Sequence, residues 1–112
     1  MKQLNKKKSR IEFHAEKLAN AFLKNKIIAP IPSIYSKKMN QAKKFKDICE
    51  SKVKKPVIGF KAGGTGLPML KKLKEKEPFY ASVYKRNFLK SGTKVKINKS
   101  TLGIELEVCY LI

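Results

Sequence analysis

Apolar residues recur every three to four positions near the start of the chain. Ile11, Ala15, Leu18, Ala19, Phe22 and Leu23 fall on one face of a 3.6-residue period. Ser9 followed by Glu12 has the form of a capping box. Together they predict a helix from about residue 10 to about residue 26. His14 lies beside that stripe, the place of a boundary residue rather than a ligand. Residues 27–33 must be extended, because Pro30 and Pro32 restrict the residues before them. A second helix is predicted to start near Ser36. Met39, Ala42, Phe45, Ile48 and Cys49 form its stripe, Lys43, Lys44 and Lys46 face water, and it fades before Pro56.

The pattern changes at Pro56. Residues 56–61 are short and apolar and read as a strand, and Ala62-Gly63-Gly64-Thr65-Gly66 reads as a loop. Leu67, Leu70 and Leu73 predict a short helix that stops before Pro78. Strands are predicted at 79–84, at the alternating Lys94-Val95-Lys96-Ile97-Asn98, and through the last apolar run, 103–112. Helices come first and strands follow, so the class is α+β, with a helical section at 1–55 and a β-rich section at 56–112. The last run stops without a polar terminator, and its backbone and apolar face call for neighbouring strands. The expectation is therefore a fragment, or an early-terminated reading frame, of a longer protein.

Composition narrows the class. The 112 residues are 42% hydrophobic, too apolar for a disordered tail. No apolar stretch approaches the ~20 residues of a membrane-spanning helix, and the basic start is not followed by a signal-peptide core. The default expectation is a cytoplasmic protein with no membrane partner. Cys49 and Cys109 lack metal-type spacing and read as free thiols. The net charge of +19 invites a nucleic-acid reading. Arg10 and Arg86 are the only arginines, however, and arginine is the residue that reads guanine and clamps phosphate. The lysines are spread along the chain, interleaved with apolar residues. That distribution implies at most weak, salt-sensitive, non-specific binding of nucleic acid or other polyanions.

Three features carry candidate chemistry. In a strand, Glu105 and Glu107 would project from one face and Ile104, Leu106 and Val108 from the other. Adjacent carboxylates repel, and a hard divalent cation such as Mg²⁺ or Mn²⁺ offsets that repulsion; a polar outer face on a half-exposed strand accounts for the same pattern. Lys61 stands inside an apolar segment, directly before the glycine loop. Burial would require an anionic partner for it, whereas an outward-pointing strand lysine would not. The loop itself lacks both nucleotide-binding glycine patterns, and alone it marks a tight turn.

The combination is more specific. Gly59-Phe60-Lys61-Ala62-Gly63-Gly64-Thr65, then Glu77-Pro78-Phe79-Tyr80-Ala81-Ser82-Val83, then Ile104-Glu105-Leu106-Glu107-Val108 resembles the 2-keto-4-pentenoate hydratase / 4-oxalocrotonate decarboxylase family, related to the C-terminal domain of fumarylacetoacetase. Ile28-Ala29-Pro30, between the helices, looks like part of that family's leading section. Ala81 and Val83 stand where its pattern has Gly and Leu. The resemblance covers the front part of a family member. It implies the first strands of a mixed β-roll and a lyase of aromatic-compound catabolism that acts on a small 2-keto acid, homo-oligomeric at full length. It implies Lys61 as the catalytic lysine, Gly63, Thr65 and Phe79 at the substrate, and Glu105 and Glu107 as two of three carboxylate ligands to Mg²⁺ or Mn²⁺. The third ligand would come from a later glutamate that this sequence does not contain. The expectation is an N-terminal part that is inactive alone. Two rivals stand beside it: a lysine-rich polyanion-binding module, and an acylpyruvate-type hydrolase on the same fold.

Overall fold

The computed structural model describes residues 8–99 and 101–112. The chain divides into two compact units, Met1–Lys54 and Lys55–Ile112. The described elements are helical in the first unit, and in the second they form a small antiparallel sheet with one short α-helix and a 3₁₀ turn at Lys85–Asn87, an α+β composition.

In the first unit, α1 (Arg10–Leu23) begins with the capping box. Ser9 Oγ accepts from Glu12 N at 3.4 Å, and Glu12 Oε2 accepts from Ser9 N at 3.1 Å. The helix stops short of residue 26 because Asn25 takes a left-handed conformation (φ 50°), and Lys26 N–H closes back on Ala21 O at 2.9 Å. The helix α2 spans Met39–Val53 and does not begin at Ser36. Ser36 Oγ donates to Ser33 O at 3.2 Å, closing a 3₁₀ turn over Ser33–Tyr35 instead of capping a helix. Lys54 (φ 51°) ends α2.

The two helices pack on each other, and Ala15, Ala19, Ala21 and Val53 are buried. Small side chains at 15 and 19 let the helix surfaces approach closely. Phe22, on the expected stripe, is 40% exposed, and Ala21, off it, is buried instead. Tyr35 stacks on Phe45 with ring centroids 4.9 Å apart, and His14 lies 5.6 Å from the Tyr35 ring, an aromatic boundary position. Burial pushes the Cys49 thiol up to about 11.

In the second unit the strands β1 (Val57–Gly63), β2 (Phe79–Tyr84) and β3 (Cys109–Leu111) form a sheet of order β2-β1-β3, with both pairings antiparallel. Between β1 and β2 lies α3 (Leu67–Leu73), which ends in the left-handed Lys74 before Pro78 is reached. β1 is longer than its apolar run, because Ala62 and Gly63 pair with Tyr80 and Phe79. The chain turns only at Gly64, where φ is +64°. β1 and β3 approach so closely at Gly59 that a Cβ there would stand 2.1 Å from Tyr110 O.

Two strand expectations fail. Residues 94–98 form no strand. Val95 and Ile97 are 67% and 72% exposed, and no described segment pairs with them. The last run is paired only over three residues, so Glu105 and Glu107 lie outside the strand. β1 continues to Gly63 against β2, but its ladder to β3 spans only Gly59–Lys61, so residues 103–108 join no described ladder. Ala81 raises no backbone conflict. It sits inside β2 opposite Lys61 and has no positive φ. Among the described residues, no helix is long and apolar enough to cross a membrane.

Candidate functional site

Lys61 is held in the middle strand of the sheet. Its backbone pairs with Ala81 on one side and Cys109 on the other. Directly opposed residues of an antiparallel pair project to the same face, so the Lys61 side chain leaves the sheet beside Cys109. Carrying the β1–β3 register past Cys109 sets Glu107 toward Gly63 and Glu105 toward Thr65. The backbone does not close that far, but the order of residues is kept.

An open cleft of about 650 Å³ separates the two diverging segments. Ala62, Gly63, Gly64 and Thr65 form one wall; Glu105, Leu106, Glu107 and Val108 form the other. A second hollow of about 710 Å³ brings Lys61 together with Glu105, Glu107 and Thr101–Ile104. Both glutamates border both spaces.

The decisive contact is an ion pair. Lys61 Nζ lies 2.5 Å from Glu107 Oε2, with the side chains 42% and 31% accessible. The bond to Glu107 raises the Lys61 ammonium above the ordinary lysine range. Partial burial opposes that rise, and the charges of Glu107 and Glu105 reinforce it. The Lys61 side chain is therefore a firmly protonated cation at neutral pH, neither isolated in apolar surroundings nor free in water.

The sequence-predicted residues are thus largely gathered in one place. Lys61, Gly63, Thr65, Glu105 and Glu107 all border the cleft or the adjoining hollow. Phe79 does not belong to the cleft wall. Its ring packs against the glycine loop, where a Cβ on Gly63 would stand 2.5 Å from Phe79 Cε2 and one on Gly64 2.8 Å from Cε1. Phe79 thus supports the loop backbone from below. Cys109 was not singled out from the sequence, yet it is the cross-strand partner of Lys61. The period-two spacing of 105, 107 and 109 carried that information.

Glu105 and Glu107 supply hard oxygen donors, the chemistry that Mg²⁺ and Mn²⁺ prefer. Two carboxylates on one short segment fit part of such a coordination shell. Among the described residues, no group of three or more His, Cys, Asp or Glu side chains is arranged to hold a metal. Comparison with protein-family models, curated proteins and solved structures gave no match.

Proposed function

We propose that residues 56–112 carry the opening part of a divalent-cation site in a cytoplasmic lyase that acts on small 2-keto acids, of the hydratase or decarboxylase type. The observation that carries this reading is that Glu105 and Glu107 border both the cleft walled by the glycine loop and the hollow that holds Lys61, with Glu107 ion-paired to Lys61. Glu105 and Glu107 would hold the cation. A bound divalent cation supplies charge stabilisation where an enolate develops on a keto acid. Lys61 places an ammonium where the carboxylate of an oxo-acid can meet it, and holds a proton at Nζ. The backbone of Gly63–Thr65 forms a wall with no bulky side chain before Thr65, leaving room for a small substrate.

With two of the three carboxylates that the resemblance implies, the chain is expected to bind Mn²⁺ weakly, with a dissociation constant on the order of millimolar, and to turn over little or no substrate. Combining Glu105→Gln with Glu107→Gln should remove that binding in a titration followed by Mn²⁺ electron paramagnetic resonance. Binding that survives the double substitution would falsify the assignment, and a tight one-to-one site in the unaltered chain would contradict the two-ligand reading.

A second reading has its own observation. Between Pro78 and Ile104 the sequence contains no Asp or Glu, while Lys85, Lys90, Lys94 and Lys96 are exposed. Non-specific polyanion binding through these lysines would fall steeply with added salt and be indifferent to the glutamate substitutions.

A further inference from the structure

Glu107 already has a cation against it, and that cation belongs to the protein. We propose that the Lys61 ammonium and a divalent cation compete for the Glu107 carboxylate, so that arrival of the metal releases Lys61 to an oxo-acid in the hollow it shares with both glutamates. This inference rests on the cation-site reading above and adds an order to it: metal first, oxo-acid second.

The geometry supplies each part. Lys61 Nζ sits on Glu107 Oε2, so a metal arriving at that oxygen meets a positive charge already in place. The two charges also repel at such a separation. Both side chains are partly solvated, at 42% and 31% accessible, so exchange requires no opening of a packed core. The backbone of Lys61 is fixed on both sides by the ladders to β2 and β3, and only its side chain can move. Glu107 precedes β3 and is not held by a ladder, so its carboxylate can adjust toward Glu105. Lys61 borders the same hollow as both glutamates, so a displaced ammonium stays beside the space that an oxo-acid would fill.

In this arrangement Lys61 is a resident counter-ion that keeps the acidic pair tolerable while no metal is bound. It also makes the metal site weaker than its donors alone would be. The ammonium's second role, toward the substrate carboxylate, begins only after exchange. An oxo-acid that arrives first meets an ammonium already neutralised by Glu107, with Glu105 and Glu107 still negative nearby.

The test is a Mn²⁺ titration of the ¹⁵N-labelled chain, read as paramagnetic broadening of the backbone amides of residues 105–109. Lys61→Met should tighten Mn²⁺ binding about tenfold, with Lys61→Gln as the second variant and the amide spectrum of each confirming the fold. Lys61→Arg, which keeps the charge, should stay near the unaltered chain. Lys90→Met, which removes a charge elsewhere in the same unit, should change little. In the unaltered chain, acetylation of Lys61 by a soluble activated ester should rise as Mn²⁺ is added, read by mass spectrometry. Equal Mn²⁺ affinity for the unaltered, Lys61→Met and Lys61→Gln chains overturns the competition and leaves the cation site standing. A gain in Lys90→Met as large as that in Lys61→Met overturns it too, since the effect would then be one of overall charge. Absence of Mn²⁺ broadening in every variant overturns both the competition and the reading beneath it.

Discussion

In residues 8–54 the buried positions are mostly alanines, on helices whose ends are set by local signals: the Ser9–Glu12 box, the left-handed Asn25 and the left-handed Lys54. In residues 101–112 the apolar side chains stay in water. Leu102, Ile104 and Leu106 are 95% exposed or more, and Val108, Tyr110, Leu111 and Ile112 at least 61%. The second stretch is the more apolar of the two, yet its side chains are the ones left exposed. A helix satisfies its backbone from within and needs only one contact face. A strand satisfies neither its backbone nor its faces without a neighbour. The contrast separates helices that close their own hydrogen bonds from a segment that joins the sheet over three residues only.

The largest expected difference between the regions is chemical. At pH 8, Cys49 should be alkylated by iodoacetamide about a hundredfold more slowly in the folded chain than in urea, since burial holds its thiol near 11. The exposed Cys109 should react first. Peptide mapping with time separates the two, and equal rates would remove the burial difference between them.

Stability comes next. Ala15 is fully buried, so Ala15→Leu should overpack the helical unit and cost about 1–3 kcal/mol in urea unfolding. No loss would mean that this interface is loose. Removal of the α1 cap by Ser9→Ala should cost about 1 kcal/mol, a smaller effect on the same unit, read by thermal denaturation at 222 nm.

The sheet unit should respond less. Lys61→Met breaks a half-exposed ion pair and should destabilise by about 0.5 kcal/mol at most, so a larger loss would assign the pair a structural role. At the bottom of the scale, Leu106→Ser should leave stability within about 0.5 kcal/mol, because Leu106 is fully exposed. A clear loss there would show that the segment is covered in solution.

Much of the architecture was legible because its causes are local. The Ser9–Glu12 box placed the start of α1, and Pro78 marked the limit of α3. Interior details were harder to read. Asn25 in a left-handed conformation shortened α1, and Ser36 turned back to Ser33 rather than capping α2. Neither can be seen in hydrophobic periodicity. The largest misreadings were the strands at 94–98 and 103–108. Alternation there reports suitability for a sheet, whereas pairing needs a neighbouring strand in register, and β1 pairs with the last run only over Gly59–Lys61.

The candidate site was legible to a similar degree. Lys61, Gly63, Thr65 and the two glutamates were brought to one place. The sequence could not show that Phe79 would lie beneath the loop or that Lys61 would reach Glu107 rather than Glu105. Both depend on strand register, which no local pattern prints.

The near-contact between position 59 and Tyr110 O has a reach beyond its own strand pair. Any side chain at 59, even a methyl group, would have to pry β3 off its neighbour. The acidic segment just upstream hangs from that same strand. A hydrogen atom at one point of the sheet is therefore the spacer that sets how near the carboxylates can come to the ammonium, and the tolerance at that point is smaller than one carbon.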